Sequence, residues 1–196
     1  MKAWFVCSVS SAVLALASAP ASATPIACNA AQLNAAKGAM GEAKKALVLA
    51  KQGIDTGDPA VAAQMTKWFG VVNSAQAKQV SDRLAKIIVF TDGATYQCET
   101  ATIELGDVYA YVTPDKSFLI TLGDFFFTTP TTGFSSRMGT LVHEMSHFVL
   151  AGAARDPRIY GPGEAAQLAK SSPEAARNNA ENIEYFVESV LFRIKP

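Results

Sequence analysis

Both histidines of this chain fall within one short window, His143-Glu144-Met145-Ser146-His147. Coiled into a helix, that window sets the two imidazoles on one face, a turn apart, where they can hold a single metal ion between them. Glu144 then sits beside the same ion, placed to take a proton from a water that the ion polarises. Two imidazoles do not complete a catalytic zinc site, which usually takes three protein ligands and keeps one position open. A third histidine shortly beyond His147 is excluded, because position 153 is alanine and the chain has no other histidine. Two sources remain by distance along the chain: a glutamate from a later segment (Glu164, Glu174 or Glu181), or an aspartate in the loop just past His147, Asp156.

Such a site needs rigid support, and the flanking sequence is suited to give it. Ser135 or Ser136 is placed to cap the helix carrying the window. Met138, Leu141, Val142, Met145 and Val149 make that helix apolar on more than one side, which predicts a buried helix running to Gly152. A polar loop with Pro157, Gly161, Pro162 and Gly163 follows. The pattern Ser171-Ser172-Pro173-Glu174 opens a last helix that is predicted to run to about Arg193. Upstream, apolar residues recur at three- and four-residue spacing from Leu33 to Ile54 behind the cap Asn29. Gly57-Asp58-Pro59 ends that helix and starts a second, towards Phe69. A third runs from Ser74 to the stop at Asp92-Gly93. Between helices, Asp107–Val112 and Ser117–Phe127 are rich in aromatic and β-branched residues around the turn Thr113-Pro114-Asp115-Lys116. They predict two or three antiparallel strands.

Residues 1–23 read as a signal peptide: a basic Met1-Lys2, an apolar stretch from Ala3 to about Leu16, and the cleavage pattern Ala21-Ser22-Ala23. Residues 24–196 then form a single domain of an exported protein. The apolar stretch is too short for a membrane anchor. Cys7 leaves with the leader, and in an exported protein the remaining pair, Cys28 and Cys98, is read most simply as one disulfide. With 17 basic and 17 acidic residues and no basic run, nothing points to nucleic acid or an anionic membrane surface as a partner.

The run Gly139-Thr140-Leu141-Val142-His143-Glu144-Met145-Ser146-His147-Phe148 resembles the active-site helix of the aspzincins, and within them the peptidyl-Lys metalloendopeptidases related to deuterolysin. Asp124-Phe125-Phe126, Ser135-Ser136-Arg137, Asp156 followed by Tyr160-Gly161, and Asn179 to Phe186 are similar to the same family, in the same order. Cys28 and Cys98 stand where the family has a disulfide. The resemblance implies an α+β zincin fold, mostly helical with a small, mainly antiparallel sheet. It implies one zinc ion held by His143, His147 and Asp156, with Glu144 as general base and Tyr160 stabilising the tetrahedral intermediate. It also assigns Glu181 and Glu184 to a pocket for the substrate's lysine ammonium.

Two departures from the family stand out. One extra residue separates Asp156 from Tyr160, and Glu181 is one methylene longer than the family's aspartate. The reading is a secreted zinc endopeptidase acting on protein or peptide, with preference for lysine at P1′. The substrate would lie along an edge strand formed by Ser117–Asp124. Two other readings use the same residues: a zinc amidase acting on cell-wall peptides, and a zinc-stabilised binding domain without catalysis. A third reading of the glutamates, that Glu181, Glu184 and Glu188 form a solvated stripe, stands beside the pocket.

Overall fold

A computed structural model describes residues 26–99, 108–157 and 159–196. The signal-peptide assignment and Asp107 lie outside them. Three helices come first. α1 (Ala30–Thr56) starts on a reciprocal cap, Asn29 with Gln32, and stops at Gly57, whose φ of 69° gives the left-handed turn that closes the last carbonyls. α2 (Pro59–Phe69) follows at once, its first turn capped by the Asp58 carboxylate. α3 (Ser74–Thr91) repeats the reciprocal cap with Asn73 and Gln76. The buried face of α1 is mostly Ala36, Ala43, Ala46, Ala50 and Gly53, small side chains that let neighbouring helices approach closely around Met40 and Leu47.

The sheet differs from the expectation. β1 (Thr95–Cys98), β2 (Ala110–Tyr111) and β3 (Leu119–Leu122) stand in the order β1-β3-β2. β1 pairs with β3 in parallel along its whole length, and only the short β2 is antiparallel to it. The sheet is therefore mixed, not mainly antiparallel. Its longest pairing involves a strand that the pattern Thr-Tyr-Gln-Cys does not announce. The stretch predicted as one strand to Phe127 ends at Leu122 and continues as a 3₁₀ turn, Asp124–Thr128, which turns Phe126 into the core.

The order of strands also corrects where a peptide can add. β3, the core of the predicted substrate edge Ser117–Asp124, is the central strand with both edges taken. On the outer side of β1, Ile26 bridges to Cys98 at the end of the strand, beside the Cys28–Cys98 disulfide, which the structure forms. Among the described residues β2 pairs only with β3, so its other edge is open among them.

α4 (Arg137–Ser146) is the buried helix that the window requires, capped by the Ser136 hydroxyl. It ends at Ser146, short of Gly152. His147 is its C-cap residue, and the chain turns through a 3₁₀ segment, Val149–Ala151. The residues read as a polar loop include a helix, α5 (Pro162–Ser171). The predicted last helix is two: α6 (Pro173–Arg177), where Ser172 makes no side-chain cap, and α7 (Ala180–Leu191). The break has a reason. Asn178 C=O accepts from Arg155 N–H at 2.7 Å and Ala180 N–H donates to Arg155 C=O at 3.0 Å, so the gap between the helices ties the loop before Asp156 to the start of α7. α7 packs against α4, α1 and α2 around Trp68, Phe69, Tyr185 and Phe186. The Trp68 indole N–H is satisfied by Ser189 Oγ at 2.9 Å and Gln64 Oε1 at 3.2 Å.

Candidate metal centre

The site forms where α4 ends, the loop after it returns and α7 crosses beneath. His143 and His147 lie on one face of the last turn of α4, ring centroids 4.9 Å apart. Asp156 is brought back to them because Ala154 N–H donates to Ser146 C=O at 2.9 Å and Arg155 is fixed to Asn178 and Ala180. One ligand atom each from His143, His147 and Asp156 lies within 4.8 Å of the other two. Of the other candidates for third ligand, Glu164 and Glu174 are exposed on α5 and α6, and Glu181 groups instead with Glu184 on His143.

Each imidazole is held on its Nδ1 side. His147 Nδ1 is 2.8 Å from Ala154 C=O, which can only accept, so that nitrogen carries the proton. His143 Nδ1 is 3.1 Å from a Glu184 carboxylate oxygen. With Nδ1 so engaged, each ring in its neutral form would offer Nε2 to a metal. Two such nitrogens with one carboxylate form a donor set that suits zinc. The residues present fit the ion that the sequence reading calls for.

Electrostatics around the pair are dominated by buried carboxylates. Burial alone would pull His143 down, but the hydrogen bond and charge of Glu184, with Glu144 and Glu181 nearby, outweigh it and hold the imidazole up at about 9. Glu144, 8% exposed, is pushed up to about 7, first by burial, against the lowering effect of His143. A carboxyl poised near neutrality is suited to take up and return a proton. Burial also lowers His147 and raises Glu181.

A cleft of ≈630 Å³ opens over these groups, lined by β2, His143, Glu144, Asp156, Tyr160, Glu181 and Glu184. His143, Glu144, His147, Asp156, Tyr160, Glu181 and Glu184 are thus gathered at one place, while Glu164, Glu174 and the two cysteines lie elsewhere. Tyr160 lies at the rim, 61% exposed. The reading of Glu181, Glu184 and Glu188 as a solvated stripe is overturned, because all three are buried against α4. A larger concavity of ≈840 Å³, between α1, α2 and the C-terminal residues, holds none of these site residues.

The family model for lysine-specific metallo-endopeptidases, the aspzincins, matches residues 56–188. This chain belongs to that family. The aspzincin is 39% identical over 125 residues to an extracellular protease of Aeromonas hydrophila, an alignment covering 62% of this chain and 34% of that one. It is 40% identical over 122 residues to a peptidyl-Lys metalloendopeptidase of Armillaria mellea, again covering 62% of this chain and 34% of the relative. The aligned part is thus about a third of the length of either relative. A peptidyl-Lys metalloendopeptidase of Pleurotus ostreatus is 36% identical over 125 residues, 63% of this chain and 72% of the other. Among solved structures, a zinc peptidase from Grifola frondosa superposes with a TM-score of 0.75 at 30% identity, covering 83% of this chain and 97% of its own. The mostly helical architecture with a three-stranded sheet is therefore the aspzincin fold.

Two features of the site are not foreseen from the sequence of this aspzincin: the acceptor that holds His147, and the role of Glu188, placed there only in a solvated stripe. The Ala154 carbonyl fixes His147, and a backbone acceptor leaves no mark in side-chain patterns. Glu188, completely buried, accepts from Ser136 N–H and Oγ–H at 2.8 Å each and from Ser135 N–H at 3.2 Å. Its spacing from Glu181 and Glu184 on one helical face was the available signal.

Proposed function

We propose that this aspzincin is an exported zinc endopeptidase that cleaves protein or peptide substrates on the amino side of lysine. The observation that carries the reading is the meeting of His143, His147 and Asp156 beside a buried Glu144 in a cleft bordered by an open strand edge. Zinc held by those three residues would polarise both the attacking water and the scissile carbonyl. Glu144 takes the water's proton and passes it to the leaving amine. Tyr160 donates its phenol to the oxygen on which negative charge develops, a contact typically worth ~3 kcal/mol in the transition state. The backbone of β2 pairs with the extended substrate and sets its register. Glu181 and Glu184 give the pocket beside the metal a negative potential that favours a cationic side chain. Export agrees with the leader-like start of the sequence, with the disulfide and with a relative named an extracellular protease. No helix among the described residues is long and apolar enough to cross a membrane.

Digestion of a denatured protein mixture, with cleavage sites read by mass spectrometry, tests the reading against Glu144→Gln. Cuts enriched before lysine, absent from the variant while its zinc content is unchanged, are expected. Cuts by the variant at the wild-type rate would remove Glu144 from the mechanism.

A further inference from the structure

The three groups assigned to the metal are not held alike. Each imidazole is engaged at its own Nδ1, whereas Asp156 is exposed and is placed by the backbone just before it. Arg155 N–H donates to Asn178 C=O at 2.7 Å. Asn178 is fixed at its other polar groups too. Its N–H donates to Ala175 C=O at 3.0 Å, its Nδ2–H donates to Glu174 C=O at 3.1 Å, and its Oδ1 accepts from Arg83 Nη2–H at 2.9 Å. Arg83 reaches this gap from α3, and its Nη1–H donates to the C=O of Arg177, the last residue of α6, at 2.7 Å. The same guanidinium lies against Gly152, where a β-carbon would stand 3.4 Å from Nε and Nη2. One side chain thus touches both the turn at Gly152 and the gap that receives Arg155. Burial pulls the guanidinium below its ordinary pKa, and no carboxylate among the described residues counters that pull. These groups line a concavity of ≈580 Å³ that shares no lining residue with the cleft.

We propose that Arg83 is a positioning residue for the third metal ligand, acting from outside the cleft. By holding Arg177 and Asn178 it fixes the gap between α6 and α7 against α3. That gap fixes Arg155, and with it the neighbouring Asp156. A carboxylate on an exposed loop has to be confined to one place before it can ligate a metal, and confining it only at binding costs affinity. A guanidinium suits the task because its planar fork meets two acceptors in a set geometry, which a lysine ammonium does not. The rival account is a simple cap, a cation at the C-terminus of α6 that adds stability and does nothing for the metal. The two accounts differ in zinc affinity.

This assignment rests on the reading of His143, His147 and Asp156 as metal ligands, and its test keeps the two apart. Zinc affinity of the full chain is measured by chelator competition, and stability of the metal-free protein by urea unfolding. The set is wild type, Arg83→Met, Arg83→Lys, Asn178→Ala and Asp156→Ala. Arg83→Met keeps an apolar stem and loses the donors. It is expected to weaken zinc binding about 10-fold, the lower end of the range typical of groups that orient metal ligands. Its kcat falls with the zinc affinity, while KM for a lysine peptide stays at the wild-type value. Arg83→Lys keeps the charge but not the fork, and recovers only part of the affinity. Asn178→Ala removes one of the two acceptors and weakens zinc by a smaller factor, which decides the matter if Arg83→Met does not fold. Wild-type zinc affinity in the variant that folds, with only the unfolding midpoint lowered, would reduce Arg83 to a cap and overturn the proposal. A wild type that binds no zinc, or an Asp156→Ala variant that binds it as tightly as wild type, would instead overturn the metal reading beneath it.

Discussion

From Ala30 to Asp92 most charged groups lie outside, several of them in pairs: Lys44 with Asp92, Lys51 with Asp55, Lys78 with Asp82. From Ser136 to Ser189 the pattern is inverted, and Glu144, Glu181, Glu184 and Glu188 lie inside. Both regions are helical and share one apolar core, yet they are ordered by different forces. The first is held by close contact of small and apolar side chains, and its paired charges are incidental. The second holds buried carboxylates, of which burial pushes Glu144, Glu181 and Glu188 towards protonation, kept in place by backbone donors and by a histidine. An arrangement that costs stability in this way marks where the chain does chemistry.

The sharpest break of the comparison is Asp156→Ala, which should lose both stoichiometric zinc and turnover while the fold, followed by circular dichroism, persists. Full zinc occupancy in that variant would mean that the metal is held without Asp156. Next in size is Leu47→Ala in the first region. Leu47 is completely buried, and its truncation should cost ~3 kcal/mol in denaturant unfolding with kcat unaltered. A changed kcat with unchanged stability would erase the distinction between the regions.

A third test uses pH on chelator-treated protein. The folded-state values of His143 and Glu188 are raised to about 9 and that of Glu144 to about 7, each above its unfolded value. Their favourable contribution is therefore present at low pH and lost as pH rises. Between pH 6.5 and 9 His143 and Glu188 both lose it, at up to about 1.4 kcal/mol per pH unit each. The melting temperature of the metal-free protein should fall across that window, and a flat or rising profile contradicts the buried charges as described. The smallest effect is expected from Asp82→Ala, since an exposed helical pair contributes only ~0.3–0.5 kcal/mol. A loss well beyond that range would show the surface charges of the first region to be structural after all.

The two regions also differ in how far the sequence reveals them. Asn29, Gly57, Asp58-Pro59 and Ser136 are local signals, and each marks a helix end in the structure. The histidine window needed only helical geometry, and the family resemblance brought Asp156 to it. What stayed hidden depends on distant partners. β1 is a strand because β3 and Ile26 lie on either side of it, not because of its own period. The gap between α6 and α7 exists because Arg155 takes the backbone groups that a continuous helix would use. The engagement of Glu184 with His143 joins positions 41 apart in sequence, and no pattern of spacing within α7 discloses it.

The disulfide has a bearing on self-association. By fastening Ile26 beside the last residue of β1, Cys28 and Cys98 cover that end of its outer edge. Reduction would leave that cover held only by the two Ile26–Cys98 backbone hydrogen bonds, on the far side of the sheet from the cleft. Oxidation thus does more than restrict the unfolded chain: it holds a cover on one end of the sheet edge that lies away from Glu144 and the histidines.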